Sequence, residues 1–273
     1  MKLLALLAHL LLILLLTALT QIGGLLWLLA YGLSGWGKKP GTGLRLGRSL
    51  LLFMGLYTLS ALVVLPVAAG YWGKVGLPVW SNERLGPASL LYPLLNRHYV
   101  TRPTKWLLQE VADQLHQQQP GAQVRYLDAG FPLFSHFPLL PHLSHTDGRK
   151  VDLAFFYQRP DGTPTNETPS HTGYGVFEGP TENEQATAEG CAGKGYWQYS
   201  YPRYLTMGQR PSLRFDALRT KKLLQLLVRQ PETEKVFLEP HLRERLGFGR
   251  EEKVRFAGCQ AVRHDDHIHV QLR

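Results

Sequence analysis

Charge is missing from two long stretches of this 273-residue chain. Residues 3–37 and residues 49–73 contain no Asp, Glu, Lys or Arg. About 20 apolar residues are enough to cross the roughly 30 Å hydrocarbon layer of a bilayer. The sequence therefore predicts two transmembrane helices, at about 3–33 and 49–70. Two such stretches exclude a free soluble enzyme, a coiled coil and a disordered tail as descriptions of the whole chain.

The loop between the two predicted spans indicates how they are oriented. It is rich in Gly and carries Lys38, Lys39, Arg45 and Arg48 without any acidic residue. Short loops rich in Lys and Arg remain in the cytoplasm, so we expect this loop to be cytoplasmic. The first apolar stretch is much longer than the apolar core of a cleaved signal peptide, which is about 7–15 residues, and we expect it to be retained. With two spans, the remainder of the chain is expected on the periplasmic, extracytoplasmic side of the cytoplasmic membrane.

Composition divides the chain into three parts. Residues 1–73 form the membrane anchor, residues 74–102 read as a linker of scattered Gly, Pro, Asn and Arg, and residues 103–273 form one globular domain. Within the domain, apolar periodicity predicts helices from 103 and at about 215–229, and strands at 123–128, 150–157, 235–238 and 267–272. Helices and short strands without a regular βαβ rhythm are typical of an α+β fold. A turn-rich insertion at 158–200 interrupts the domain, and loops of this length are often functional.

Cysteine is almost absent, and the excess charge is positive. Cys191 and Cys259 are the only two cysteines and no C-x-x-C is present, so a thiolate zinc site is not expected. In an oxidising compartment the pair could form one disulfide, a question that the sequence leaves open. The formal net charge of +9 suits attraction to anionic polymers such as the cell wall. Basic residues are not interleaved with aromatic residues in a stripe, so nucleic acid is not an expected partner.

Two clusters of His and Asp carry the candidate chemistry. The first runs from Ser144 to Asp152 and contains His145, and the second is His264-Asp265-Asp266-His267-Ile268-His269. Side chains alternate along a strand, so His267 and His269 share one face, opposite Ile268. By the same alternation Val151 and Leu153 face a core and turn Asp152 to the other side.

These residues fit a metal site in two ways. His145 stands beyond the turn at Gly148 and could fold back beside Asp152. Two His and one Asp with an open fourth position make a catalytic zinc site, whereas four protein ligands, with both His267 and His269 bound, make a closed structural one. One of Asp265 and Asp266 could orient a ligand histidine from behind, or both could be solvated turn residues.

The two clusters together resemble a known family. S-H-x-x-G-x-x-x-D at 144–152, followed by H-x-x-H-x-H at 264–269, is similar to the motifs of the penicillin-insensitive murein endopeptidases, members of the lysostaphin and D-Ala-D-Ala metallopeptidase superfamily. His142 and the segment Val236-Phe237-Leu238-Glu239-Pro240 also match. The resemblance covers about 135–273 and does not reach the anchor or the linker.

The resemblance carries specific expectations for fold, site and reaction. It implies a small antiparallel sheet with flanking helices, and Zn²⁺ bound by His145, Asp152 and His269. It implies that His267 is the catalytic histidine and that His142 and His264 line the site. The implied reaction is hydrolysis of peptide bonds next to D-Ala in peptidoglycan. The two predicted spans and the 158–200 insertion depart from the usual family pattern.

Three functions remain open at this stage. The first is a membrane-anchored zinc metallopeptidase acting as a murein endopeptidase. The second is a D-Ala-D-Ala carboxypeptidase or dipeptidase of the same superfamily. The third is a non-catalytic domain that uses this fold to bind cell wall.

Overall fold

The N-terminal part is a bundle of apolar helices. A computed structural model of the chain describes residues 2–36, 41–80, 82–140, 142–210 and 212–273. The bundle contains α1 (Lys2–Thr20), α2 (Gly23–Ser34), α3 (Thr42–Leu59), a π-helical stretch (Ser60–Val64) and α4 (Leu65–Tyr71). Helical segments Leu3–Thr20 and Gly43–Tyr71 are long and apolar enough to cross a membrane, and α2 is a shorter apolar helix between them. Lys38 and Lys39 of the predicted cytoplasmic loop lie outside the described residues.

The first predicted span is two helices, not one. The chain reverses at Gln21, whose φ of 69° is in the left-handed region. The Gly pair that follows lets α2 lie directly on α1, because a Cβ on Gly24 would be 2.1 Å from Thr17 Oγ1. The hairpin is antiparallel, with Trp27 Nε1 donating to His9 Nδ1 at 3.2 Å. Apolar composition predicted the membrane character of 3–33 but could not reveal this reversal.

The second part of the chain is one domain that begins directly after α4. It contains strands β1 (Lys74–Gly76), β2 (Leu85–Pro87), β3 (Tyr99–Thr101), β4 (Val124–Tyr126), β5 (Lys150–Ala154), β6 (Tyr157–Gln158), β7 (Pro164–Thr165), β8 (Arg214–Phe215), β9 (Thr233–Phe237), β10 (Val254–Arg255) and β11 (His267–Leu272). Its helices are α5 (Leu91–Leu94), α6 (Arg102–Gln118), α7 (Thr187–Gly193), a 3₁₀-helix (Trp197–Tyr204), α8 (Ala217–Arg229) and α9 (Pro240–Arg245).

The main sheet is mixed, which corrects the expectation of a purely antiparallel one. Its six strands lie in the order β10-β9-β11-β5-β4-β2. The three inner pairs are antiparallel, whereas the outer pairs β10-β9 and β2-β4 are parallel. The α+β class is confirmed. Two small sheets, β1-β3 and β7-β6-β8, complete the domain.

One apolar core joins this sheet to α6 and α8. Leu108, Val111 and Leu115 of α6 are fully buried at helical spacing, as are Leu223 and Leu227 of α8. They share one cluster with Val151, Leu153, Ile268 and Val270 of the two central strands. Each fully buried Leu or Val contributes about 2 kcal/mol relative to exposure. The core therefore fixes one face of β5 and β11 and leaves the opposite face for polar side chains.

Residues 74–102 are not a free linker. They contribute β1, β2, α5 and β3, and β2 is an edge strand of the main sheet. Lys74 is buried and its Nζ donates to the carbonyls of Phe131 and Leu133 at 2.9 and 2.7 Å. Strands of three residues give too little alternation for a sequence pattern to indicate them.

Candidate metal centre

The pairing of β5 with β11 sets two of the candidate ligands face to face. In the antiparallel register His269 lies opposite Asp152, while Ile268 pairs with Leu153 and Val270 with Val151. Directly opposed residues have their Cβ atoms about 5 Å apart. Asp152 Oδ1 and His269 Nδ1 consequently approach to 2.8 Å on the face away from the core.

A loop brings the third candidate ligand to the same place. The histidine loop, residues 131–146, runs from the end of β4 towards β5 and carries His142 and His145. His145 Nδ1 lies 3.0 Å from the Ala129 carbonyl. A carbonyl only accepts, so Nδ1 carries the proton and Nε2 presents its lone pair. That Nε2 lies 3.1 Å from His269 Nδ1 and 3.2 Å from Asp152 Oδ1.

Gly148 makes the return of this loop possible. Its φ of +75° is in the left-handed region, and a Cβ would lie 3.1 Å from Thr101 N of β3. Its carbonyl accepts from Thr101 N at 2.9 Å and from Thr104 Oγ1 at 3.0 Å. A side chain at this position would strain the backbone and push the turn off β3. This accounts for the glycine in the first motif.

The three donor atoms fit a metal ion. His145, Asp152 and His269 form a buried group in which one ligand atom from each lies within 4.8 Å of the others. Ligands of a tetrahedral zinc at bond lengths near 2.0–2.1 Å are about 3.3 Å apart, close to the 2.8–3.2 Å observed. Burial opposes ionisation of Asp152, but His145, His267 and His142 outweigh it and hold its pKa well below the usual range. Burial lowers the pKa of His269 to about 4 despite Asp152, so both side chains are in the form that binds metal.

His267 stands beside this group with a different set of contacts. Its Nδ1 is held by Asp266 Oδ1 at 2.5 Å, and Asp266 Oδ2 accepts from Gly175 N at 2.6 Å. Its Nε2 is buried without a hydrogen-bond partner among the described residues and points to Asp152 Oδ2 at 3.6 Å. Burial disfavours the charged ring, but the carboxylates of Asp152 and Asp266 outweigh it and raise the pKa of His267 to about 9. His267 thus approaches Oδ2 of Asp152, whereas His145 and His269 approach Oδ1.

His142 and His264 flank the same centre. His142 Nδ1 lies 3.0 Å from Asp128 Oδ2 and 3.4 Å from Asp152 Oδ2. The ring of His264 lies 5.0 Å from that of His267 and 5.6 Å from that of His269, centroid to centroid. Burial, together with His267 and His269, lowers the pKa of His264 well below the usual range. The structure therefore brings together all six residues that the sequence singled out.

Several residues of the site could not be found from the sequence. Tyr174 of the 158–200 insertion donates its OH to Asp152 Oδ2 at 2.6 Å. Burial and the neighbouring Asp152 raise the pKa of Tyr174 well above the usual range, so this donor stays protonated. Asp128 orients His142 and is itself paired with Arg97, whose Nε lies 2.6 Å from Asp128 Oδ1. No motif or periodicity marks Tyr174, Asp128 or Arg97.

The acidic pair of the second motif is buried, so the alternative of solvated turn residues is wrong. Asp266 orients His267 rather than one of the three candidate metal ligands. Asp265 accepts from Arg263 Nε at 2.6 Å. Glu239 accepts the backbone N–H of His264 at 3.0 Å and is also hydrogen-bonded by Tyr199. Hydrogen bonds therefore hold the backbone of His264 and the side chains of Asp265 and Asp266 in place.

The two cysteines form a disulfide. It joins Cys191 of α7 to Cys259, five residues before His264. The insertion is therefore tied covalently to the segment that enters the second motif. Tyr174, Gly175 and Tyr199 show that the insertion also builds one wall of the centre.

No protein-family model matches this chain, and no curated protein matches it. The geometry of the centre and the motifs themselves are therefore the basis for any functional conclusion.

Proposed function

We propose that this protein is a membrane-anchored zinc metallopeptidase that hydrolyses peptide bonds next to D-Ala in peptidoglycan. The observation that carries the proposal is the buried convergence of His145, Asp152 and His269 with His267 beside them. The motif resemblance to the murein endopeptidases supplies the reaction and the substrate class.

Zinc is the metal that best suits the donor set. Two imidazole nitrogens and one carboxylate oxygen are typical of catalytic zinc sites with three protein ligands. In such a site the metal polarises the scissile carbonyl and makes water acidic enough to react near neutral pH. Tyr174 and the Ala129 carbonyl would hold the ligands Asp152 and His145 in orientation.

His267 is the residue that we assign to proton transfer or to stabilisation of the tetrahedral intermediate. Asp266 fixes its Nδ1, which leaves Nε2, buried and without a hydrogen-bond partner among the described residues, as the atom that would face a bound substrate. A positioned acid or base of this kind contributes about 10²–10⁴-fold to a rate. His142 and His264 line the site on either side and would contact the substrate or its leaving group.

The proposed location is the cytoplasmic membrane, with the domain on the periplasmic or extracytoplasmic side. The Cys191–Cys259 disulfide favours an oxidising compartment. Arg45 and Arg48 lie near the start of α3, whereas the domain is attached at the end of α4. Basic residues at the end of the bundle remote from the domain favour that end in the cytoplasm.

Digestion of purified sacculi tests the proposal. The full-length chain in detergent is compared with the His267→Ala and His269→Ala variants, each with and without a metal chelator. We expect stoichiometric zinc and, after the glycan strands are cut with a muramidase, conversion of cross-linked muropeptide dimers into monomers by the parent chain. His269→Ala should lose the metal, because one of its three ligands is removed. His267→Ala should keep the metal and lose about 10²–10⁴-fold in turnover.

Three outcomes contradict parts of this proposal. If His267→Ala also loses the metal, the centre is a closed four-ligand site. If monomeric stem peptides are trimmed while cross-linked dimers are not, the enzyme is a carboxypeptidase or dipeptidase. If zinc is stoichiometric and no muropeptide changes while sacculi are still bound, the domain is a non-catalytic wall-binding module.

A further inference from the structure

The histidine loop exposes large apolar side chains next to the metal centre. Phe134, Leu140 and Leu143 are 51%, 50% and 60% exposed. No Asp, Glu, Lys or Arg occurs between residues 129 and 146. His142 and His145 of this same loop are buried at the centre. The loop therefore presents an apolar outer side and a metal-binding inner side.

Both halves of this loop are tied to the domain-facing end of the helical bundle. Leu133 N donates to Gln21 Oε1, in the turn between α1 and α2, at 2.9 Å. Phe134 packs edge-on against Trp72, which directly follows α4, with ring centroids 4.7 Å apart. Trp is enriched at the membrane–water interface. Phe134 therefore packs against an aromatic residue of the kind found where membrane helices end.

The second half of the loop is linked to the helical bundle by a chain of polar contacts. Arg97 Nη2 donates to the Leu140 carbonyl at 2.7 Å. The neighbouring Asn96 donates to the Thr20 carbonyl at the end of α1 and to Tyr57 of α3, at 3.4 and 3.0 Å. Leu140 is therefore linked to the end of α1 through Arg97 and Asn96. Exposed Leu94, whose carbonyl accepts from Tyr57, continues the apolar surface.

We propose that the histidine loop inserts Phe134, Leu140 and Leu143 into the surface of the bilayer. Burial of apolar side chains in lipid is favourable, and Phe134 of the loop already contacts Trp72 at the end of α4. The occupant of this surface is lipid. The metal centre is then held close to the membrane, and the substrate reaches it within the layer of wall material next to the lipid. The lipid contact does not depend on the reaction that the centre catalyses.

Fluorescence quenching in reconstituted vesicles tests this contact. Both native cysteines are in the disulfide, so Leu140→Cys, Leu143→Cys and Phe134→Cys each provide the sole thiol for an environment-sensitive fluorophore. Leu218→Cys on α8 is the matched control, because Leu218 is a 79% exposed leucine outside the loop. The labelled full-length chain is placed in vesicles containing either ordinary lipid or lipid with a nitroxide on the acyl chain. Iodide serves as the quencher in water.

Lipid nitroxide should quench the three loop positions severalfold more than position 218, and iodide should show the opposite order. Equal iodide quenching at the loop positions and at 218 would show that the loop is in water and would overturn the proposal. Shielding from both quenchers that disappears on dilution of protein in lipid would also overturn it, because a second copy of the chain would then cover the loop. Quenching is compared only among labelled variants whose thermal unfolding midpoint matches that of the unlabelled chain.

Discussion

At the scale of single residues, the two oxygens of Asp152 have separate roles. Oδ1 faces His145 and His269, while Oδ2 accepts from Tyr174 and faces His142 and His267. A carboxylate that is hydrogen-bonded on the side away from the metal keeps its orientation when the metal binds. Tyr174 is therefore a positioning residue for the candidate ligand set, supplied by a segment with no recognisable motif.

Removing the Tyr174 hydroxyl should weaken metal binding without removing a ligand. We expect Tyr174→Phe to lower zinc affinity by about 10–100-fold, the usual effect of losing a hydrogen bond to a ligand. Zinc affinity is measured by competition with a chelating indicator on the full-length chain. Tyr157→Phe is the matched control, because the Tyr157 hydroxyl is also buried but has no hydrogen-bond partner among the described residues. An equal loss of affinity in both variants would mean that packing, not the bond to Asp152, is responsible.

The residues of the centre could be predicted in part. Strand alternation separates Asp152, His267 and His269 from their apolar neighbours. The turn at Gly148 places His145 near Asp152, and the motif resemblance indicates His142 and His264. Tyr174, Asp128 and Arg97 could not be predicted, since each is placed by contacts between distant segments. The arrangement of His267 also needed coordinates, because alternation alone puts His267 and His269 on the same face and allows either to be a ligand.

At the scale of elements, the sequence predicted the long helices and strands with regular apolar spacing. It did not predict the three-residue strands or the chain reversal between α1 and α2. Helix α6 begins next to Pro103, and β11 covers the predicted residues 267–272. Apolar side chains at regular spacing specify such elements without help from the rest of the fold. By contrast, β1 to β3 pair over three residues each, and the reversal at Gln21 lies inside a long stretch without charged residues.

The insertion between β6 and β8 is cross-linked by the disulfide to the segment before the second motif. It contains few regular elements, yet it supplies Tyr174 and Gly175 to the centre. The Cys191–Cys259 bond closes a loop of 68 residues and ties the C-terminal part of the insertion to the segment before the second motif. Cross-linking the unfolded chain over such a distance is the main way in which a disulfide stabilises a fold.

Replacing both cysteines by serine should destabilise the domain and leave the three candidate ligands in place. We expect the Cys191→Ser, Cys259→Ser variant to lose about 2–5 kcal/mol of unfolding free energy. Unfolding is followed by circular dichroism in denaturant, and zinc content is measured under native conditions. Zinc should be retained, because His145, Asp152 and His269 lie on the histidine loop, β5 and β11. A variant that unfolds at the same denaturant concentration as the parent chain would contradict a stabilising role for the bond.

At the scale of the whole molecule, the bundle has two different ends. Helix α2 packs antiparallel to α1, with His9 beside Trp27, and antiparallel to α3, where Ser34 and Ser49 share a 2.9 Å hydrogen bond. Helices α1 and α3 therefore run in the same direction. The starts of α1 and α3 lie at one end of the bundle, and the α1–α2 turn contacts the domain at the other end through Gln21. This differs from a two-span arrangement, in which the N-terminus and the domain share one side of the membrane.

Membrane sidedness should follow the bundle rather than the two-span arrangement. We expect Leu3→Cys and Gly41→Cys to react with a membrane-impermeant maleimide only in inside-out vesicles, and Leu218→Cys only in right-side-out vesicles. The physical reason is that α1 and α3 are parallel, so their starts must emerge on the side opposite the domain. Reaction of Leu3→Cys together with Leu218→Cys, while Gly41→Cys reacts from the other side, would establish a two-crossing chain. The bundle, in which α2 runs antiparallel to both α1 and α3, requires positions 3 and 41 to react alike.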